Sequence, residues 1–173
     1  PNVYVTGEDL VSEHVVINLD PAASLVQMEL VPNEIERQYA LKLARQRVHQ
    51  PKFRAEVLIA YQTQCAICRL KHGELLDAAH IVPDSHEKGV ASVRNGMALC
   101  KIHHSAYDKH LIGISPDYEV KVNAELLLEV DGPMLKHGIQ EMHGRTIHTP
   151  SQLALKPDKE LLAITFAEFM KSA

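Results

Sequence analysis

Cys65-Ala-Ile-Cys68, Asp77-Ala-Ala-His80-Ile-Val-Pro83, Arg94-Asn95-Gly96 and Cys100-Lys-Ile-His103-His104 form the stretch on which the reading of this chain turns. All three cysteines of the chain fall inside it. Two half-sites of two donors each, CxxC and CxxH, make up the thiolate and imidazole set of a tetrahedral structural zinc: Cys65, Cys68, Cys100 and His103. The plain alternative is a group of buried free cysteines. The 31 residues between Cys68 and Cys100 leave room for a loop, a strand, a second loop and a second strand. Metal binding would contribute directly to folding in a chain with few aromatics and no tryptophan.

Further polar residues are surplus to that set: His104 with Asp108, His80 and Asn95. His104 adjoins His103, and neighbours on a helix point about 100° apart, so the two cannot easily serve one tetrahedral centre. Asp108 lies four residues after His104 on the same helix face. A histidine and an aspartate so placed can hold a divalent cation with positions open for phosphate and water. The bland readings are a cap or surface histidine and a salt-bridging aspartate. His80 ends an expected strand. Imidazole titrates near neutrality and serves as general base, although a lone strand histidine is more often structural. If its strand pairs with the one before Cys100, His80 comes to lie against the helix bearing His104. Asn95, in Arg-Asn-Gly, reads first as a turn residue; its added role would be to pin the loop and orient His80 by a hydrogen bond.

Working outward, Leu75–Ile81 and Gly96–Leu99 are expected strands and Lys101–Lys109 a short helix, giving β-β-α. Upstream, Pro51 starts a helix with Phe53, Val57, Ala60 and Tyr61 on its core face. Before that, a helix should run from Asn33 to about Val48, with Asn33 and Glu36 as a capping pair. Val3–Val5 and His14–Leu19 read as strands around a turn at Gly7-Glu8-Asp9. Downstream, Leu111–Ile114 and Tyr118–Val122 should form a hairpin, Met134–His143 a helix and Thr146–His148 an extended piece. The last helix should have Pro157 at its first position and an apolar stripe of Leu162, Phe166 and Phe169. The fold class is therefore α+β, a ββα core with a CxxC/CxxH zinc site, flanking helices and a short hairpin.

The chain has 173 residues, 46% of them hydrophobic, enough for one ordinary core. It lacks an apolar run of membrane-spanning length and a signal-peptide pattern. An odd number of cysteines argues against a disulfide framework and for a reducing, cytoplasmic setting. The net charge of −4 is unusual for a nucleic-acid binder, but its distribution is uneven. Residues 1–36 carry seven acidic and no basic side chains, whereas residues 37–54 carry Arg37, Lys42, Arg45, Arg47, Lys52 and Arg54 and no acidic ones. That basic segment is either a solvated helix face or a phosphate-contacting surface beside the site.

The motifs Asp77-Ala-Ala-His80-Ile-Val-Pro, Arg94-Asn95-Gly96-Met-Ala-Leu-Cys100 and His103-His104-Ser-Ala-Tyr-Asp108 resemble those of HNH, or ββα-metal, endonucleases. The resemblance spans about residues 53–122. More closely, it is to the C-terminal part of bacterial HNH restriction endonucleases, and in that form it extends through Asp131-Gly-Pro-Met134 and the last helix. It implies a domain over residues 32–173 with its nuclease core at 53–122. Residues 1–31 would then be a strand segment at the tail of a preceding recognition domain, which would suit a start at Pro1. The resemblance also implies His80 as general base, Asn95 as orienting residue and His104 as ligand of a catalytic magnesium or manganese. Products would carry 5′-phosphate and 3′-hydroxyl ends. One departure stands out. Many HNH nucleases place a metal-binding acid or histidine directly before the base, where this chain has Ala79; Asp77, two residues back on the same strand face, is the substitute.

The leading expectation is a metal-dependent DNA endonuclease of restriction type. A zinc-ribbon DNA-binding module without catalysis is the alternative from another class, and a nuclease for RNA or structured nucleic acid is a third. The surplus set His80, Asn95 and His104 favours catalysis, since a structural zinc site does not require it. Cutting both strands would suit a homodimer, although no heptad pattern is apparent.

Overall fold

The computed structural model describes strand residues 4–9 and 14–18 and the continuous stretch 50–172. The chain divides into two compact units, Pro1–Leu43 and Ala44–Ala173. In the first, β1 (Tyr4–Asp9) pairs antiparallel with β2 (His14–Asn18), with Tyr4 opposite Asn18 and Asp9 opposite His14. The turn expected at Gly7-Glu8-Asp9 is instead part of β1. A register shift between Val5 and Gly7 absorbs an extra residue there, as a β-bulge does. The helix expected over residues 33–48 lies outside the described residues, as do Arg37, Lys42, Arg45 and Arg47.

The second unit opens on α1, described over residues 50–60. Phe53, Val57 and Tyr61 are buried as its spacing predicts, with Leu58 added and Ala60 only partly covered. The chain then turns through left-handed residues at Gln62 and Thr63 into the CxxC knuckle. The Cys65 amide donates to the Leu70 carbonyl at 2.9 Å and the Arg69 amide to the Cys65 carbonyl at 3.0 Å, with Arg69 also left-handed. The knuckle docks on the sheet through the Ala66 amide, which donates to the Ala98 carbonyl at 2.7 Å.

β3 (Leu76–His80) and β4 (Gly96–Cys100) form an antiparallel pair with Leu76 opposite Cys100 and His80 opposite Gly96. All five residues of β4 are buried. α2 (Lys101–Asp108) follows Cys100 with no intervening loop, completing ββα. β5 (Ile112–Ile114) and β6 (Val120–Val122) form the expected hairpin, closed by the Tyr118 amide donating to the Ser115 carbonyl at 2.8 Å.

The downstream helices differ from expectation. α3 (Ala124–Leu128) was not expected; Asn123 caps it by accepting from the Glu125 amide at 2.8 Å. The single helix expected over 134–143 is α4 (Pro133–Gly138) and then a separate turn of 3₁₀ helix, Gln140–Met142. Gly138, a poor helix former, sits at the break. In the extended piece expected at 146–148, Thr146 bridges Glu119 and the Ile147 amide donates to the Tyr118 carbonyl at 2.8 Å. α5 (Lys159–Ser172) is capped by Asp158, whose carboxylate accepts from the Glu160 amide at 2.9 Å, so Pro157 stands before the cap and not at the first helical position. Its buried stripe is Leu162, Thr165 and Phe169; Phe166 is only half-covered and stacks on Phe169.

One close approach sets the geometry around His80. A Cβ on Gly96 would lie 2.6 Å from the Val57 Cγ2 and 2.9 Å from the Phe53 ring. Glycine thus lets α1 seat against the strand end that pairs with His80. Gly96→Ala should lower stability by roughly 1–3 kcal/mol, the usual cost of overpacking, read as a shift of the urea midpoint at unchanged slope. An unchanged midpoint would show that α1 yields freely there.

Candidate metal and catalytic site

Cys65, Cys68, Cys100 and His103 offer ligand atoms that all lie within 4.8 Å of one another, and they form a group that can hold a metal ion. Three pieces of chain supply them: the knuckle, the end of β4 and the first turn of α2. The donors fit a tetrahedral ion. The Cys68 and Cys100 sulfurs are 4.0 Å apart, and His103 Nδ1 is 3.5 Å from Cys65 Sγ and 3.1 Å from Cys100 Sγ. Bond lengths of zinc to sulfur and nitrogen set tetrahedral edges of roughly 3.8 and 3.5 Å. The far ring nitrogen of His103, Nε2, donates to the Gly138 carbonyl at 2.7 Å, which leaves Nδ1 as the ligand nitrogen.

The same closeness perturbs their ionisation. Hydrogen bonds from Cys100 and Cys68 hold the Cys65 thiol far below its usual range, while those to Cys100 and Cys65 push Cys68 up. Burial pushes His103 down, but hydrogen bonds and charge from Cys100 and Cys65 outweigh it and raise the imidazole to about 10. A thiolate facing an imidazolium is an arrangement that a divalent cation replaces, with release of protons.

A second site lies beside this one. His80, His104 and Asp108 line an open cleft of about 560 Å³, with Asp84 on the loop after β3 and Thr165 and Glu168 from α5. His80 sits at the end of β3, its ring stacked on Phe53 with centroids 4.1 Å apart and planes at 15°. Burial lowers its pKa; His104 adds to that, whereas the Asp84 and Asp108 carboxylates oppose it. The imidazole is therefore neutral near pH 7 and able to accept a proton. His104 presents Nε2 3.4 Å from Asp108 Oδ2 and Nδ1 3.7 Å from Asp77 Oδ2. Tyr107, also on the cleft wall, shares a 3.0 Å hydrogen bond with Thr165; burial is the main cause that pushes its phenol up to about 12, so it stays neutral.

Several expected residues are placed differently from their expected roles. Asn95, 1% exposed, does not bond His80. Its amide donates to the carbonyls of Val82 and Val90, both at 3.0 Å, and accepts from the Val82 amide at 3.0 Å. It clamps the loop two residues beyond His80, so any orientation of the ring is indirect. Asp77 is three residues from His80, on the other strand face, and its carboxylate is already shared by Lys101 Nζ at 3.2 Å, Arg54 Nε at 3.9 Å and His104 Nδ1. It backs His104 from the side away from Asp108 rather than joining Asp108 around one point. Among the described residues, the Cys/His group is the one set of three or more donors this close together. Arg54 also donates through Nη2 to the Gly73 and Leu76 carbonyls at 3.0 and 2.9 Å, which ties α1 to the start of β3 while its side chain stays 46% exposed. Lys52 is 75% exposed, with only a 3.8 Å pairing to Glu56.

Asp84 and the α5 residues of the cleft were not anticipated. Asp84 follows His80 through an irregular loop, where no periodicity marks a shared face. Thr165 had one signal: it is a polar residue at a position that continues the apolar stripe of its helix.

Residues 65–115 match the family model described as HNH endonuclease. None of the curated proteins matches the chain. Among solved structures, a modification-dependent TagI restriction endonuclease aligns at 14% identity and a TM-score of 0.47, covering 68% of this chain and 37% of its own. Among the described residues, no helix is long and apolar enough to cross a membrane. The match over residues 65–115 takes in both half-sites, β3, β4, α2, His80 and His104, and the chain accordingly carries an HNH endonuclease domain, a module of phosphodiester-hydrolysing enzymes.

Proposed function

We propose that the chain is a metal-dependent DNA endonuclease of restriction type. Its structural zinc would be held by Cys65, Cys68, Cys100 and His103, and its catalytic magnesium or manganese by His104 with Asp108. The observation that carries this reading is the convergence of His80, His104 and Asp108 on one cleft, outside a four-donor group that is already complete. A purely structural metal module has no use for that second set.

Within the cleft, His80 accepts the proton of the attacking water, for which its depressed pKa keeps it neutral. Phe53 stacking fixes the ring plane, and the Asn95 clamp holds the loop that follows it. His104 and Asp108 bind the cation, with Asp77 behind the other ring nitrogen of His104. When bound, the cation supplies Lewis acidity at the scissile phosphate and stabilises the leaving oxygen. DNA as substrate and the restriction type rest on the sequence: the motifs with their downstream flank, and the run of six cations in residues 37–54 with Lys52 exposed at its end.

Cys68→Ser should cost the protein its tightly held zinc and lower its stability sharply, seen by metal analysis beside thermal unfolding. Folded parent protein without zinc would remove the structural-metal assignment. On supercoiled plasmid with magnesium, His80→Ala should keep zinc and DNA binding yet lose cleavage by roughly 100-fold or more, the scale of a lost general base. His104→Ala should lose cleavage too, with partial recovery in excess divalent cation, because its defect is in binding the cation. Parent-like cutting by His80→Ala would refute the assignment of the base.

A further inference from the structure

We propose that Asp84 is the positioning residue of the His80 base: its carboxylate accepts the Nε2 proton of the imidazole and leaves Nδ1 as the nitrogen that takes the proton of water. This rests on the reading of His80 as base. Asp84 Oδ1 lies 3.2 Å from His80 Nε2. That nitrogen is buried and has no hydrogen-bond partner among the described residues, because the Asp84 oxygen is close but out of line with it. A buried ring nitrogen in this position calls for a partner, and Asp84 is the polar group within reach. Catalytic hydrogen bonds are often loose before substrate binds and tighten in the complex.

The surroundings make such a contact effective. The Phe53 ring lies flat on His80 and restricts its tilt. The loop carrying Asp84 is braced on both sides: Asn95 holds Val82 through two hydrogen bonds, and the His86 amide donates to the Pro83 carbonyl at 2.8 Å. Asp84 is thus presented to His80 from a fixed backbone, at the edge of the cleft and one-third exposed. An acceptor on Nε2 selects the tautomer in which Nδ1 is unprotonated and steadies the imidazolium once the water proton has moved to Nδ1. The rival role is direct binding of the cleft cation, since Asp84 lines the same cleft as His104 and Asp108.

The two roles separate in the steady-state kinetics of plasmid nicking by the full chain. Asp84→Ala should lower kcat by roughly 10- to 100-fold, the usual effect of removing the group that orients a catalytic side chain, with KM and the half-saturating magnesium concentration unchanged. Asp84→Asn should lose less, since an amide oxygen still accepts the N–H; it also serves as the test variant if the alanine form does not fold. In a His80→Ala background, Asp84→Ala should cause no further loss, because its effect acts through His80. A rise in the magnesium requirement, an additive loss in that background, or a parent-like rate in Asp84→Ala would each overturn the proposal. A parent protein that does not cut at all would instead overturn the nuclease reading. Independently of activity, nitrogen-15 NMR of the zinc-loaded protein should show His80 as the Nε2–H tautomer, and the Nδ1–H tautomer would refute the pairing.

Discussion

Four donor atoms within 4.8 Å of one another, drawn from the knuckle, the end of β4 and the start of α2, are the constraint on which the second unit depends. They tie together elements that local propensity alone would hold weakly: an eight-residue helix and a five-residue strand pair. Because α2 starts directly after Cys100, anchoring Cys100 and His103 sets the phase of the helix. His104, one residue on, is thereby turned away from the donor group and into the cleft. The His103 bond to the Gly138 carbonyl extends the same restraint to the end of α4.

The cleft needs a second wall, and α5 provides it from about sixty residues downstream. The Phe169 ring packs over Gly113 of β5 so closely that a Cβ there would come within 2.5 Å. Thr165 reaches Tyr107, and Arg94 pairs with Asp158 at the helix cap. The loop between β3 and β4 is consequently held at one end by Asn95 and at the other by α5. Charge in the cleft is mixed. The carboxylates of Asp84, Asp108 and Glu168 share the cleft with His80 and His104, which suits a site that binds a cation; burial, against the pull of Asp84 and Asp108, keeps the His80 imidazole neutral.

Spacing made the local parts legible. CxxC with CxxH identified the donor group, β-β-α followed from short apolar runs between turn residues, and the period of Phe53, Val57 and Tyr61 located the core face of α1. What sequence spacing could not convey was which polar groups partner one another. Asp77 reads as a substitute ligand because it shares a strand face with Ala79, the position before the base; spacing could not show that its carboxylate is shared by Lys101, Arg54 and His104. Arg54 belongs to a cationic run, and its spacing gave no sign that its Nη2 also bonds the backbone carbonyls of Gly73 and Leu76. Asn95 was expected to pin the loop and to bond His80; it pins the loop through Val82 and Val90 and leaves the ring unbonded. These neighbours come from segments 5 to 27 residues away in the chain.

The central claim is that two metals have two jobs: one holds the fold, and another, bound at His104 and Asp108, is needed for cleavage. Plasmid cleavage measured alongside zinc content, after brief treatment with a chelator too weak to strip thiolate-bound zinc, separates them most directly. The account predicts that zinc stays at one per chain while cutting stops, and that magnesium or manganese alone restores it. Undiminished cutting with zinc as the sole metal, or no cutting under any added cation, would contradict it.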